Sequence, residues 1–215
     1  MNPDLWLIEI TVLKITQTSE HYLKLDYLSP VNGLDYGLLR FSPKNKKASR
    51  PDLFDTAEIS IELGNVSKKH FLKDYSPITQ RPAIGKHYSR LDYTCRFARF
   101  LLENLSSVPD PKELYQLSKQ SLDAFNSGYP PETILLKALY HFLKIEGFPV
   151  ENNWWQSIPK AQKNQAQQLL NTPLSEIQTT QVDKDAPTQS SAESLLAHLA
   201  QWIRQETELR LNLKK

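Results

Sequence analysis

A chain of 215 residues that is 40% hydrophobic, with a formal net charge of +2, has material for one large domain or two small ones. Its near-neutral balance excludes a uniformly basic surface, so contact with a polyanion must run through a local patch. The single cysteine excludes an intramolecular disulfide and a cysteine-rich zinc site. The opening MNPDLWLIEITVLKITQ lacks the basic lead of a signal peptide, and no window approaches the roughly 18 apolar residues that span a bilayer; a cytoplasmic protein without membrane contact is expected.

The first eighty residues hold short runs of β-branched and aromatic residues: LWLIEITVLKI, HYLKLDYLS, YGLLRFS, TAEISIELG and HFLKDYSPI. Several alternate apolar with polar, as Ile59, Ile61 and Leu63 do against Ser60 and Glu62. That period of two predicts strands with one buried face. Turn residues separate them at Ser29-Pro30-Val31-Asn32-Gly33, Ser42-Pro43 and Gly64-Asn65. Strands at this spacing, with no helical period between them, predict a small closed or half-closed barrel. A small sandwich is the competing geometry.

After Pro82 the period becomes helical. Tyr88, Leu91, Cys95, Ala98, Leu102 and Leu105 fall on one face, with Tyr93, Phe97 and Phe100 nearly opposite. This predicts a helix wedged between two packed layers. Asp92 stands four before Arg96, and Arg99 four before Glu103; both arginines read as salt-bridged to their own helix before they read as ligand contacts. Asp110-Pro111 opens a second helix, Asp as N-cap and Pro at the first position, running to about Asn126 before Gly128. Pro131 starts a third, closed by Gly147, whose broad face of Ile134, Leu135, Ala138, Leu139, Phe142 and Leu143 suits the centre of a bundle. NWW at 153–155 and the following AQKNQAQQLL form a further short helical piece.

From about 171 to 191 the composition drops to Thr, Gln, Ser, Asp and Pro, as in a mobile connection. Leu195, Leu196, Leu199, Trp202, Ile203 and Leu209 then recur at helical spacing, with Ser190 or Ser191 as cap, and this last helix should fold back on the bundle.

Enzyme signatures are sparse. His21, His70, His87, His141 and His198 are scattered, with no HxxxH or HExxH spacing, and no glycine-rich phosphate loop is present. His141, beside the third helix's apolar face, reads as structural. Cys95 reads as a small core residue rather than a nucleophile. No catalytic residue, metal site or cofactor is expected.

One stretch departs from this blandness. Residues 1–80 carry ten lysines and arginines against ten aspartates and glutamates, and half of those cations sit in RFSPKNKKASR, from Arg40 to Arg50. The run joins two predicted strands on a barrel rim. As an isolated loop it reads most simply as a solubilising turn. Its functional reading is phosphate contact through Arg40, Lys44, Lys46, Lys47 and Arg50, each neutralised phosphate releasing a counterion. Basic loops beside an aromatic barrel face are a common single-strand arrangement. Tyr22, Tyr27 and Tyr36 are candidate stacking surfaces, although core or edge positions suit them better.

In order, ITVLKITQTSEHYLKLDYLSPVNG, YGLLRFSPKNKKASRPDLFDTAEISIEL and PPETILLKALYHFLKIEGFPV resemble RecO, the bacterial recombination mediator. The matching elements are Ile10 to Leu13, the Ser19-Glu20 turn, Tyr36 to Leu39, the basic loop Arg40 to Arg50 with Ser49 inside it, the turn Ile145-Glu146-Gly147-Phe148-Pro149, and a closing helix at Leu195 to Leu211. The resemblance covers most of the chain in order and spacing, on short, degenerate motifs. It implies an α+β chain: an OB-fold barrel over 1–80 that binds nucleic acid, then a helical bundle over 81–215. It implies binding of single- and double-stranded DNA, strand annealing, and work with RecR and single-stranded-DNA-binding protein to load RecA in DNA repair. Helical-domain grooves, to which Lys86, Arg90 and Lys137 are weak candidate contributors, would take the acidic tail of single-stranded-DNA-binding protein.

The chain departs from the family in two places. Where many members carry a four-cysteine zinc module, this one reads VENNWWQSIPKAQ, with Trp154 and Trp155 as candidates for a hydrophobic plug. The glycine usual in the basic loop is also missing. The second reading is a protein-interaction adaptor whose barrel docks RecR or another protein instead of DNA.

Overall fold

The computed structural model describes residues 5–40, 49–63, 70–105, 110–177 and 187–212. The predicted turns Ser42-Pro43 and Gly64-Asn65 lie outside the described residues. The chain divides into two compact units, Met1–Arg81 with Leu105–Lys119, and Pro82–Asn104 with Gln120–Lys215.

The first unit is built on the five strands that the period-two pattern predicts: β1 (Leu5–Ser19), β2 (Tyr22–Ser29), β3 (Gly33–Arg40), β4 (Thr56–Leu63) and β5 (His70–Thr79). They close into a barrel in the order β1-β2-β3-β5-β4, which rules out the sandwich alternative. Strands β1 to β3 form a meander and β4 returns to pair with β1, a Greek key. Strand β5 fills the gap, antiparallel to β4 and parallel to β3 through Leu38↔Phe71 and Leu39↔Leu72. Strand β1 pairs with β4 along its first half and β2 along its second, and its register shifts near Leu13 and Thr18 supply the bend this requires.

Alternate residues point inward and make the core: Ile10, Val12, Leu23, Leu25, Tyr27, Leu39, Ala57, Ile59, Ile61 and Leu72. Gly37 is needed where β3 meets β5, since a Cβ there would lie 2.4 Å from Leu72 Cδ2.

A buried polar knot closes one end. Phe54 holds a left-handed φ of 70°, and its N–H and the Asp55 carbonyl pair with Val12, both at 2.9 Å. Arg81, 4% exposed, donates to the Phe54 carbonyl and to Thr56 Oγ1 (3.0 Å for the latter). Asp55 accepts from the Tyr75 hydroxyl at 2.9 Å and the Asp52 N–H at 3.1 Å; burial raises its pKa against those bonds. Arg81 is the donor that keeps the strained Phe54 carbonyl satisfied. Arg81→Met should therefore cost about 3 kcal/mol, because a buried carbonyl and hydroxyl lose a charged donor. Urea unfolding checks this, and a loss under about 1 kcal/mol would count against it.

Leu105–Lys119, which the sequence places in the helical region, groups with the barrel. The reason is local. Pro111 lies 3.3 Å from where a Gly33 Cβ would stand. Glu9 on β1 accepts from the Tyr115 hydroxyl and the Lys119 ammonium, each at 2.7 Å. The Lys119 bond first, then the Tyr115 bond, hold the Glu9 pKa below its usual value.

The second unit is helical: α1 (Tyr88–Asn104), the later part of α2 (Pro111–Ser127), α3 (Pro131–Ile145), a π-helical turn (Val150–Trp154) running into the short α4 (Trp155–Ser157), then α5 (Lys160–Asn171) and α6 (Pro187–Glu206). Asp110 caps α2 as expected, accepting the Lys112 N–H at 3.1 Å. Helix α3 is the central member, buried from Glu132 to Leu136 and again at Ala138, Leu139, Phe142 and Leu143, and it packs on α1 and α6. It ends in the anticipated glycine turn. Gly147, at φ 75°, donates to the Lys144 carbonyl and Phe148 to that of Leu143, at 3.1 and 2.9 Å.

Two expectations need correction. Helix α1 buries Thr94, Phe97, Ala98, Phe100 and Leu101, while Tyr88 is 85% exposed and Cys95 is only half-buried. The buried stripe runs between the two expected faces, because Phe97 meets Phe125 and Phe100 packs edge-on to Phe142, at ring separations of 6.4 and 4.7 Å. Helix α6 begins at Pro187, not at Ser190 or Ser191; proline suits a first helical turn, where its missing N–H costs nothing. The Ser191 hydroxyl instead donates to Gln165 Oε1 at 2.9 Å. Of the segment read as mobile, 178–186 lies outside the described residues.

Candidate nucleic-acid interface

Of the five cations singled out, Arg40 and Arg50 fall on described, exposed positions. Lys44, Lys46 and Lys47 lie outside the described residues. Arg40 ends β3 directly opposite Tyr22 of β2, and Arg50 follows the intervening segment shortly before β4.

Arg40 belongs to a larger surface. Inward and outward residues alternate, so the face of β2 and β3 turned away from the core carries Tyr22, Lys24 and Asp26 opposite Arg40, Leu38 and Tyr36. Strand β1 adds Lys14, in register with Asp26. Strand β5 adds Phe71, in register with Leu38, and the exposed Lys73. Tyr22 stands edge-on to Phe71 at 6.5 Å and 63°. Tyr36 is 45% exposed, and Lys24 Nζ lies 4.5 Å from its ring centroid. The same ammonium is 2.7 Å from Asp26 Oδ1. Aromatic rings and cations thus interleave on an open sheet face, the combination that stacks bases and contacts phosphates.

The three tyrosines separate clearly. Tyr27 is in the barrel core, fully buried, while Tyr22 and Tyr36 are on the outer face. The alternations Tyr22-x-Lys24 and Tyr36-x-Leu38-x-Arg40 were present in the sequence as signals for this face. Phe71 had no such signal, because its place follows from the parallel β3–β5 pairing.

The other candidate cations are largely committed to structure. Lys137 donates to the Leu170 and Thr172 carbonyls at 3.1 and 2.6 Å, capping the C-terminus of α5, and burial lowers its pKa. Arg90 donates to the Ala83 carbonyl at 2.9 Å. Lys86 is exposed. Arg96 is 2.7 Å from Asp92, the within-helix pair that the spacing predicts. His141 is exposed and stands edge-on to Tyr140 at 5.8 Å, so it takes no part in the core of α3.

Trp154 is fully buried, against Tyr140 at 5.7 Å, His198 at 6.4 Å and Trp155 at 6.5 Å. Among the described residues, no group of three or more His, Cys, Asp or Glu side chains is placed to hold a metal ion. Among them, too, no helix is long and apolar enough to cross a membrane. No protein-family model matches the chain, and no curated protein matches it.

Proposed function

We propose that this chain is a RecO-like recombination mediator with an OB-fold at its N-terminus. It binds single- and double-stranded DNA without catalysis and favours annealing of complementary strands. In the cytoplasm it works with RecR and single-stranded-DNA-binding protein to load RecA during repair. A five-stranded Greek-key barrel is the architecture of the OB-fold, whose β2–β3 face takes oligonucleotides. The observation that carries the reading is the outer face itself: exposed Tyr36 with Lys24 and Arg40, at the strand end where the basic run begins.

On this reading Arg40, Lys44, Lys46, Lys47 and Arg50 hold phosphates, and Tyr36 stacks a base. The same cations reduce repulsion between two strands, which favours annealing. Tyr36→Ala should weaken binding of a labelled single strand about 5- to 150-fold, the range for losing one base stack. Its salt dependence should stay unchanged, since no phosphate contact is removed. Gel shifts and annealing assays, with and without single-stranded-DNA-binding protein, test the reading. A wild-type protein that neither shifts nor anneals oligonucleotides at low salt would refute it.

A second reading, a protein-docking adaptor, draws on Trp6 and Leu7 at the start of β1, 67% and 61% exposed. Exposed large apolar side chains of this kind are common anchors at protein interfaces. Oligonucleotide binding that is weak and insensitive to salt would favour it.

A further inference from the structure

Among the cations of the β2–β3 outer face stands a carboxylate, Asp26, in a position unusual for a surface that would meet a polyanion. Asp26 lies in register between Lys14 on β1 and Tyr36 on β3. Its side chain is only 16% exposed, and it holds Lys24, itself 34% exposed, at 2.7 Å. In that position the Lys24 ammonium sits over the Tyr36 ring at 4.5 Å.

We propose that Asp26 is a built-in restraint on this face: it parks Lys24 across Tyr36, and a backbone phosphate must draw the ammonium away before the ring can take a base. The inference deepens the nucleic-acid reading and rests on it. Two attractions hold Lys24 in place, a charge-assisted hydrogen bond and the ring's quadrupole. A phosphate competes directly with the first and its approach is opposed by the carboxylate's charge. Once Lys24 leaves, Lys14 is the in-register cation that can compensate Asp26. The swap therefore does not strand a largely buried charge, which would be costly. The face thereby favours a strand that offers a phosphate and an unpaired base together over one that offers either alone.

Asp26→Asn keeps the shape and removes the charge. It should tighten binding of a fluorescein-labelled single-stranded oligothymidylate by about two- to fivefold at low salt, the scale of one surface ion pair whose partner is regained elsewhere. In a Lys24→Met background the same change should give a clearly smaller gain, only the relief of the carboxylate's repulsion. A gain of equal size there would mean that Asp26 acts only as a repulsive charge, and the restraint would be overturned; so would an Asp26→Asn protein that binds no better than wild type. A second readout needs no ligand. In the free protein the Lys24 ε-methylene protons should be shifted upfield by the Tyr36 ring current, and should lose that shift in Asp26→Asn. Unshifted wild-type protons overturn the restraint whether or not strands bind, while shifted protons in a protein that binds no strand would refute the nucleic-acid reading alone.

Discussion

Trp154→Ala should lower the stability of the helical unit by about 3–5 kcal/mol, the usual result of emptying a large aromatic site in a core. The side chain is fully buried and stands among Tyr140, Trp155 and His198, residues held on separate helical segments. Removing it leaves a cavity that three ring-bearing neighbours cannot close without moving. For a chain of this size the expected fall in Tm is about ten degrees. Trp154→Phe should be much milder, because the indole N–H is a buried donor with no partner among the described residues. A phenyl ring keeps most of the packing and removes that unsatisfied group, so its cost should stay near 1 kcal/mol. Thermal and urea unfolding followed by far-ultraviolet circular dichroism distinguish the two variants. An alanine variant within about 1 kcal/mol of wild type would show that the plug carries little of the unit's stability.

The barrel was readable because its strands obey one rule. Leu23, Leu25 and Tyr27, or Ala57, Ile59 and Ile61, face the core at a spacing that no helix produces. The parallel closure of β3 on β5 was not readable. It depends on Leu72 packing into the space that Gly37 leaves empty, a contact between residues 35 positions apart. Helix α1 misled for the opposite reason: it is apolar or aromatic at so many positions that periodicity alone offers two faces, and packing against Phe125 and Phe142 selects the stripe between them. The start of α6 was missed because Pro187-Thr188-Gln189 is polar and reads as linker.

Part of the site was legible and part was not. Charge density drew attention to Arg40 and Arg50, and both are exposed. Lys137, a weak candidate for a helical-domain groove, has its ammonium consumed by the carbonyls that end α5. A cation's sequence neighbours do not reveal whether a helix terminus elsewhere in the chain needs a donor. Nor does the strand pattern alone reveal that Lys24 is shared between Asp26 and Tyr36. That triad emerges only when β2 and β3 are set in register.

The account turns on whether a nearly neutral protein grips phosphates through one concentrated run of cations. Binding of a labelled single strand measured between about 50 and 200 mM salt tests it most directly. Phosphate contacts by Arg40, Lys44, Lys46, Lys47 and Arg50 predict a slope of log affinity against log salt near −3.5, at about −0.7 per contact. Replacing Lys44, Lys46 and Lys47 together by alanine should flatten that slope to about −1.4 and weaken binding by on the order of several hundredfold at the low-salt end. A triple variant that binds as tightly as wild type, with the same slope, would contradict the account.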